Sequence, residues 1–183
     1  MRGHPWHDVP LNDDLESWFP VFVEINRGNR VKYELDKPTG LLRVDRILYG
    51  AVYYPASYGF VPRTHCPDGD PLDALVICKE DLVPGVLLRA RAVGVMPMRD
   101  EKGQDDKLIA VHADDPFLSE VRDLSDLSVA EVLELRRFFQ DYKVLEGKEV
   151  VVEQPLGRDA ALRVLRESVE LYARNRDRLR DGD

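Results

Sequence analysis

Cysteine is scarce in this chain: Cys66 and Cys78 are the two present, they form no CxxC pair, and they are too few for a disulfide framework. Both read as reduced thiols. Long apolar runs are missing as well, since the longest uncharged stretch, Ile47 to Pro62, is broken by Gly50, Pro55 and Gly59 and falls short of a bilayer-spanning length. No membrane helix is expected. The opening Met1 to Asp14 carries no apolar run that could serve as a secretory signal, so a cytoplasmic location is expected. Positive charge is the minority, 26 Lys and Arg against 34 Asp and Glu, and the formal charge of -8 argues against nucleic acid as a partner. The same surplus repels a small phosphate compound unless cations bind first and reverse the local sign.

What is present is the composition of a globular protein, 44% hydrophobic and 33% charged over 183 residues. A domain of this length buries roughly 70% of its unfolded surface and needs no metal or disulfide to fold. There is no internal repeat or linker, so one domain over residues 1–183 is expected, with residues 1–20 as an irregular arm that packs by Trp6 and Trp18.

Val21 to Asn26 reads as a strand. Arg30 to Asp36 alternates strictly, and the turn Lys37-Pro38-Thr39-Gly40 makes a hairpin with Leu41 to Leu48. Asp73 to Lys79, Val86 to Met98 and Lys107 to Val111 supply further strands, the last two joined across Glu101-Lys102-Gly103-Gln104, which suggests a meander. Ser128 and Glu131 form a capping box for a helix running to about Val144, which Gly147 stops. Lys148 to Gln154 returns as a strand, and Asp159 is placed to cap a final helix. The class is α+β: a small closed or partly open barrel with two main helices packed on it.

Asp68-Gly69-Asp70-Pro71-Leu72-Asp73 puts three carboxylates in six positions. Hard divalent cations need such oxygen ligands, and Pro71 stiffens the loop that presents them, although a solvated acidic turn has the same composition. Named alternatives fail on spacing. An EF-hand would need an oxygen ligand, Gly and Glu where Leu72, Asp73 and Lys79 stand, and zinc would have His65 and Cys66 but no second cluster. Asp100, Asp105 and Asp106 form a second acidic group ahead of Lys107. If the strand is regular, Arg46 shares a face with Leu42 and Val44 and demands an anionic partner there.

Read together, these segments resemble the soluble inorganic pyrophosphatases of the Mg-dependent, barrel-type family, family I. The signature Asp, small residue, Asp, Pro, apolar, Asp, apolar is met by Asp68 to Ala74. Val23-Glu24-Ile25, Lys32-Tyr33-Glu34, Val44-Asp45-Arg46, Tyr54-Pro55 to Tyr58-Gly59, Asp100 to Lys107 and Phe139 to Lys143 follow the family order. The resemblance implies a closed five-stranded barrel of OB-like topology and the hydrolysis of pyrophosphate to two phosphates by in-line attack of an activated water, without a covalent intermediate. It implies that Asp68, Asp70, Asp73, Asp100 and Asp105 hold several Mg2+ ions, with Glu24 and Glu34 at the rim and Mn2+ or Zn2+ as substitutes. By the same mapping Lys32, Arg46, Lys107, Tyr142 and Lys143 hold phosphate oxygens, Tyr54 supports the wall, Tyr58 sits near Asp70, and Asp70, Arg46, Tyr58 and Lys143 are catalytic. A homo-oligomer is implied, a hexamer in preference to a dimer. Ser57 and Asp106 depart from the usual pattern. Two other readings stay open at this point: a non-catalytic barrel that binds divalent cations or anions, and a phosphohydrolase with broader nucleotide substrates.

Overall fold

The structure is a computed structural model that describes residues 3–101 and 103–181. Met1 and Arg2 of the expected arm, Lys102 of the expected turn, and Gly182 and Asp183 lie outside the described residues. Strand β1 (Phe19–Ile25) leads into the hairpin of β2 (Val31–Asp36) and β3 (Leu41–Ile47). Then come β4 (Ser57–Phe60), β5 (Asp73–Ile77), β6 (Leu87–Met96), β7 (Met98–Asp100), β8 (Gly103–Gln104) and β9 (Lys107–His112). Helix α1 (Val129–Asp141), the short strands β10 (Val151–Val152) and β11 (Leu156–Gly157), and helix α2 (Arg158–Asp181) complete the order.

Strands β1, β4, β5, β9 and β6 pair in that sequence, and β6 pairs back onto β1. The result is a closed five-stranded barrel, with the short β11 paired onto β6 beside the closure. Its strands differ from those legible in the sequence. β4 is a full barrel member, whereas the β2–β3 hairpin stands apart as its own two-stranded sheet. The meander is corrected too: β5 and β9 run parallel, so the chain between them is a crossover through β6. Gly59 shows why the β1–β4 seam is tight, because a Cβ there would lie 1.9 Å from the Phe22 carbonyl oxygen.

The barrel strands are apolar on both faces. Leu75, Ile109 and Val111 join Leu135, Phe138 and Phe139 of α1 in one buried cluster. Ala74, Val76, Leu108 and Ala110 join Ala161, Leu162 and Leu165 of α2 in another. Helix α1 begins at the predicted capping box, with the Glu131 amide donating to Ser128 Oγ at 3.2 Å and the Ser128 amide donating to the Glu131 carboxylate at 2.9 Å. It ends at Asp141, a little before the expected Val144, and Gly147 closes the following 3-10 turn with φ 70°. Helix α2 is not capped by Asp159, which lies in its first turn; the Arg158 amide instead donates to the Asp123 carboxylate at 2.8 Å. The strand expected over Lys148 to Gln154 shrinks to Val151–Val152. Among the described residues no helix is long and apolar enough to cross a membrane.

Candidate active site

The parallel register sets Asp73 opposite Lys107, each at the first residue of its strand, and antiparallel pairing sets Asp73 opposite Phe60 and Lys107 opposite Met96. One end of the barrel therefore opens with a carboxylate and an ammonium side by side. Lys107, only 2% exposed, ion-pairs with both Asp73 and Asp105. The β2–β3 hairpin leans over this opening, tied down where the Leu35 amide donates to the Glu24 carboxylate at 2.7 Å. It carries Lys32 directly across from Arg46. Helix α1 contributes Phe139 and, at its C-terminal cap, Tyr142, followed by Lys143, whose ammonium reaches Asp100 at 2.8 Å.

These elements enclose a cavity of about 580 Å³, and all fourteen residues singled out for metal, substrate or catalysis line it. Ten carboxylates and seven cationic side chains face it, leaving a formal surplus of three negative charges. Burial acts on several of these acids. Burial, with Asp73 nearby, pushes Glu24 up to about 8. Burial raises Asp105 to about 6 even though Lys107 pulls the other way, and burial also raises Asp68. Tyr54 and Tyr58 are held well above their ordinary value by burial, and burial pushes Tyr142 up as well, so all three phenols stay protonated donors.

Several placements differ from what the resemblance implied. Glu24 is buried in the wall of the cavity, 6% exposed, and does not sit at the rim. The carboxylate that acts on the Tyr58 phenol is Asp73, while the resemblance placed Tyr58 near Asp70. The partner of Asp70 is Lys37, with which it ion-pairs. Arg46 does not share a face with Val44, which is 59% exposed, because a register shift between Lys32 and Tyr33 leaves Asp45 as an extra residue and resets the alternation. Arg46 does have the anionic partners its position demanded, Asp45 at 2.6 Å and Glu146 at 2.8 Å. Asp106 is turned away from the cavity chemistry and accepts from the Met98 amide at 3.2 Å and from Gln104, which makes it a brace of the β7–β8 hairpin.

A protein-family profile described as inorganic pyrophosphatase matches residues 21–173. This chain belongs to the inorganic pyrophosphatase family. A soluble inorganic pyrophosphatase of Zea mays is 53% identical over 173 residues, 94% of this chain and 81% of that protein. Among solved structures, the inorganic pyrophosphatase of Thermus thermophilus superposes with a TM-score of 0.89 at 38% identity, covering 93% of this chain and 99% of that one. The Helicobacter pylori inorganic pyrophosphatase gives 0.86 at 43% identity, with 90% and 98% covered. The closed barrel with its two helices is the OB-like fold of these inorganic pyrophosphatases.

Six further charged residues line this inorganic pyrophosphatase cavity without having been assigned from the sequence: Asp36, Lys37, Arg43, Asp45, Glu101 and Lys148. Asp45 could have been read from its place beside Arg46. Glu146 could not, since it meets Arg46 across 100 positions of chain and no linear pattern joins them.

Proposed function

We propose that residues 1–183 act as one domain that hydrolyses inorganic pyrophosphate to two phosphates with the help of divalent cations. The observation that carries this reading is the surplus of carboxylate over cationic charge in a cavity that also presents phosphate-binding groups. A pyrophosphate anion cannot enter such a place unaided, so cations must come first. The donor set fits them. The acids are hard oxygen ligands, and Glu24, Asp68 and Asp105, raised chiefly by burial, would be held in their charged form by a bound cation. Among the described residues no ready-made cluster of metal ligands is present, and lysines hold several of the acids. Arg46 Nη2 is buried without a hydrogen-bond partner, and a phosphate oxygen would satisfy it.

We assign Asp68, Asp70, Asp73, Asp100, Asp105, Glu24 and Glu34 to the cations, which when bound screen the substrate's charge and acidify the attacking water. Mg2+ is the expected ion, and Mn2+ or Zn2+ are possible replacements. Lys32, Lys107 and Tyr142 hold oxygens of the substrate. Asp70 orients the attacking water and accepts its proton. Arg46 and Lys143 donate to the departing phosphate as its charge grows, so most of the catalysis is positioning and electrostatic stabilisation. Tyr58 acts through its bond to Asp73, and Tyr54 supports the wall. The cytoplasm is the proposed location and a homo-oligomer the proposed assembly, a hexamer in preference to a dimer.

Phosphate release from pyrophosphate, ATP and a simple monoester, each with Mg2+ or with chelator, tests this reading. Pyrophosphate with Mg2+ alone should turn over rapidly, and Asp70→Asn should lower kcat by about 10²–10⁴-fold, the range of a general base. Comparable release from ATP would instead indicate a broader phosphohydrolase, and no release from any substrate a binding barrel.

A further inference from the structure

The arm ahead of the family match reaches the acidic loop. Trp6, 1% exposed, donates from Nε1 to the Thr64 carbonyl at 2.8 Å, and its own carbonyl accepts from the Arg63 amide at 2.8 Å. Arg63 adopts the left-handed conformation, φ 53°, the sole non-glycine to do so among the described residues, so the arm fastens the chain at a strained position just before Asp68. Thr64 in turn receives the Leu72 amide on Oγ1 at 2.8 Å. The arm also grips the hairpin turn, where His4 Nε2 bonds the Lys37 carbonyl at 2.8 Å.

Between these two grips stands Lys37. Its ammonium ion-pairs with Asp70, donates to the Gly69 carbonyl at 3.0 Å and lies 5.6 Å from the centre of the Trp6 ring. Lys107 and Lys143, which hold other acids of the cavity, are deeply buried, whereas the Lys37 side chain is 45% exposed at the tip of a hairpin. It alone of the three can withdraw into water, and the Trp6 face keeps a displaced ammonium nearby.

We propose that Lys37 is a positioning residue for Asp70: held by the arm through His4 and Trp6, its ammonium occupies the carboxylate in the cation-free protein and so competes with the arriving cation for it. The proposal rests on the assignment of Asp70 as a cation ligand. It makes the affinity for Mg2+ depend on a residue that touches neither water nor phosphate in the reaction. A lysine that merely braced the loop would have the opposite signature, since its loss would loosen Asp70 and weaken cation binding.

Calorimetric titration of Mg2+ into the metal-free full chain, without pyrophosphate, separates the two. Lys37→Met should bind Mg2+ about two- to fivefold more tightly than the unaltered protein, the span expected for an ion pair between half-exposed groups. Lys37→Arg should stay within about twofold, because the charge is kept. In a Trp18→Phe chain Trp6 is the remaining tryptophan, and saturating Mg2+ should change its emission with Lys37 present and leave it unchanged in Lys37→Met. Unchanged or weaker binding in Lys37→Met, or the same emission change in both proteins, overturns the role of Lys37. Absence of Mg2+ binding by the unaltered protein overturns the cation assignment itself, and the role of Lys37 with it.

Discussion

Lys107 shows how the cavity is balanced residue by residue. Burial opposes its charge, yet Asp73 and Asp105 on either side hold it well above its ordinary value, so a charged lysine sits almost wholly out of water. Removing one partner would leave the others uncompensated. A different balance holds at His7 in the arm, stacked between His4 and Trp6 at 4.5 and 4.6 Å and bonded through Nδ1 to the Tyr172 hydroxyl at 2.9 Å. Burial, followed by the nearby His4 and Arg180, lowers it from 6.5 to about 4. The unfolded chain therefore takes up a proton between those values that the folded chain refuses, and stability present above pH 6.5 is lost as pH falls toward 4. Tm measured across this window should fall less steeply in His7→Phe than in the unaltered protein; equal slopes would place the acid sensitivity elsewhere.

At the scale of elements, the site depends on short strands meeting at one barrel end. β4 supplies Tyr58 and passes so close to β1 that residue 59 has no room for a side chain. Gly59→Ala should destabilise the protein by about 3 kcal/mol or more, at the upper end of overpacking costs, because the obstacle is backbone and not a rotatable side chain. Thermal or urea unfolding reads this directly, and an unchanged midpoint would mean that the seam relaxes. The same strand marks where sequence reading ended. Ser57 to Phe60 is too short and too interrupted by glycine to show a period, whereas the strict alternation of Arg30 to Asp36 and the Ser128–Glu131 box declared their elements. The parallel pairing of β5 with β9 had no local signal, because register between distant strands is set by tertiary closure. The Asp45 bulge lies in a local hairpin, but no glycine or other break in Leu41 to Leu48 marks it, so the true face of Arg46 escaped as well.

For the whole molecule, the decisive property is that acids from residues 24 to 105 converge on one cavity, although the chain brings them from separate strands and loops. Their identities were legible because the loop from Asp68 to Asp73 and the segments around it keep a family's order. Their pairing with Lys37, Lys107 and Lys143 was not, since which lysine meets which acid follows from the barrel's register. The account holds that these carboxylates take up divalent cations, with Asp70 giving up the half-exposed Lys37 to do so. Anomalous diffraction from crystals of the protein soaked in Mn2+ tests this most directly. Anomalous peaks within coordination distance of Asp68, Asp70, Asp73 and Asp105 are predicted; Mn2+ bound solely outside the cavity, with Asp70 still on Lys37, would contradict it.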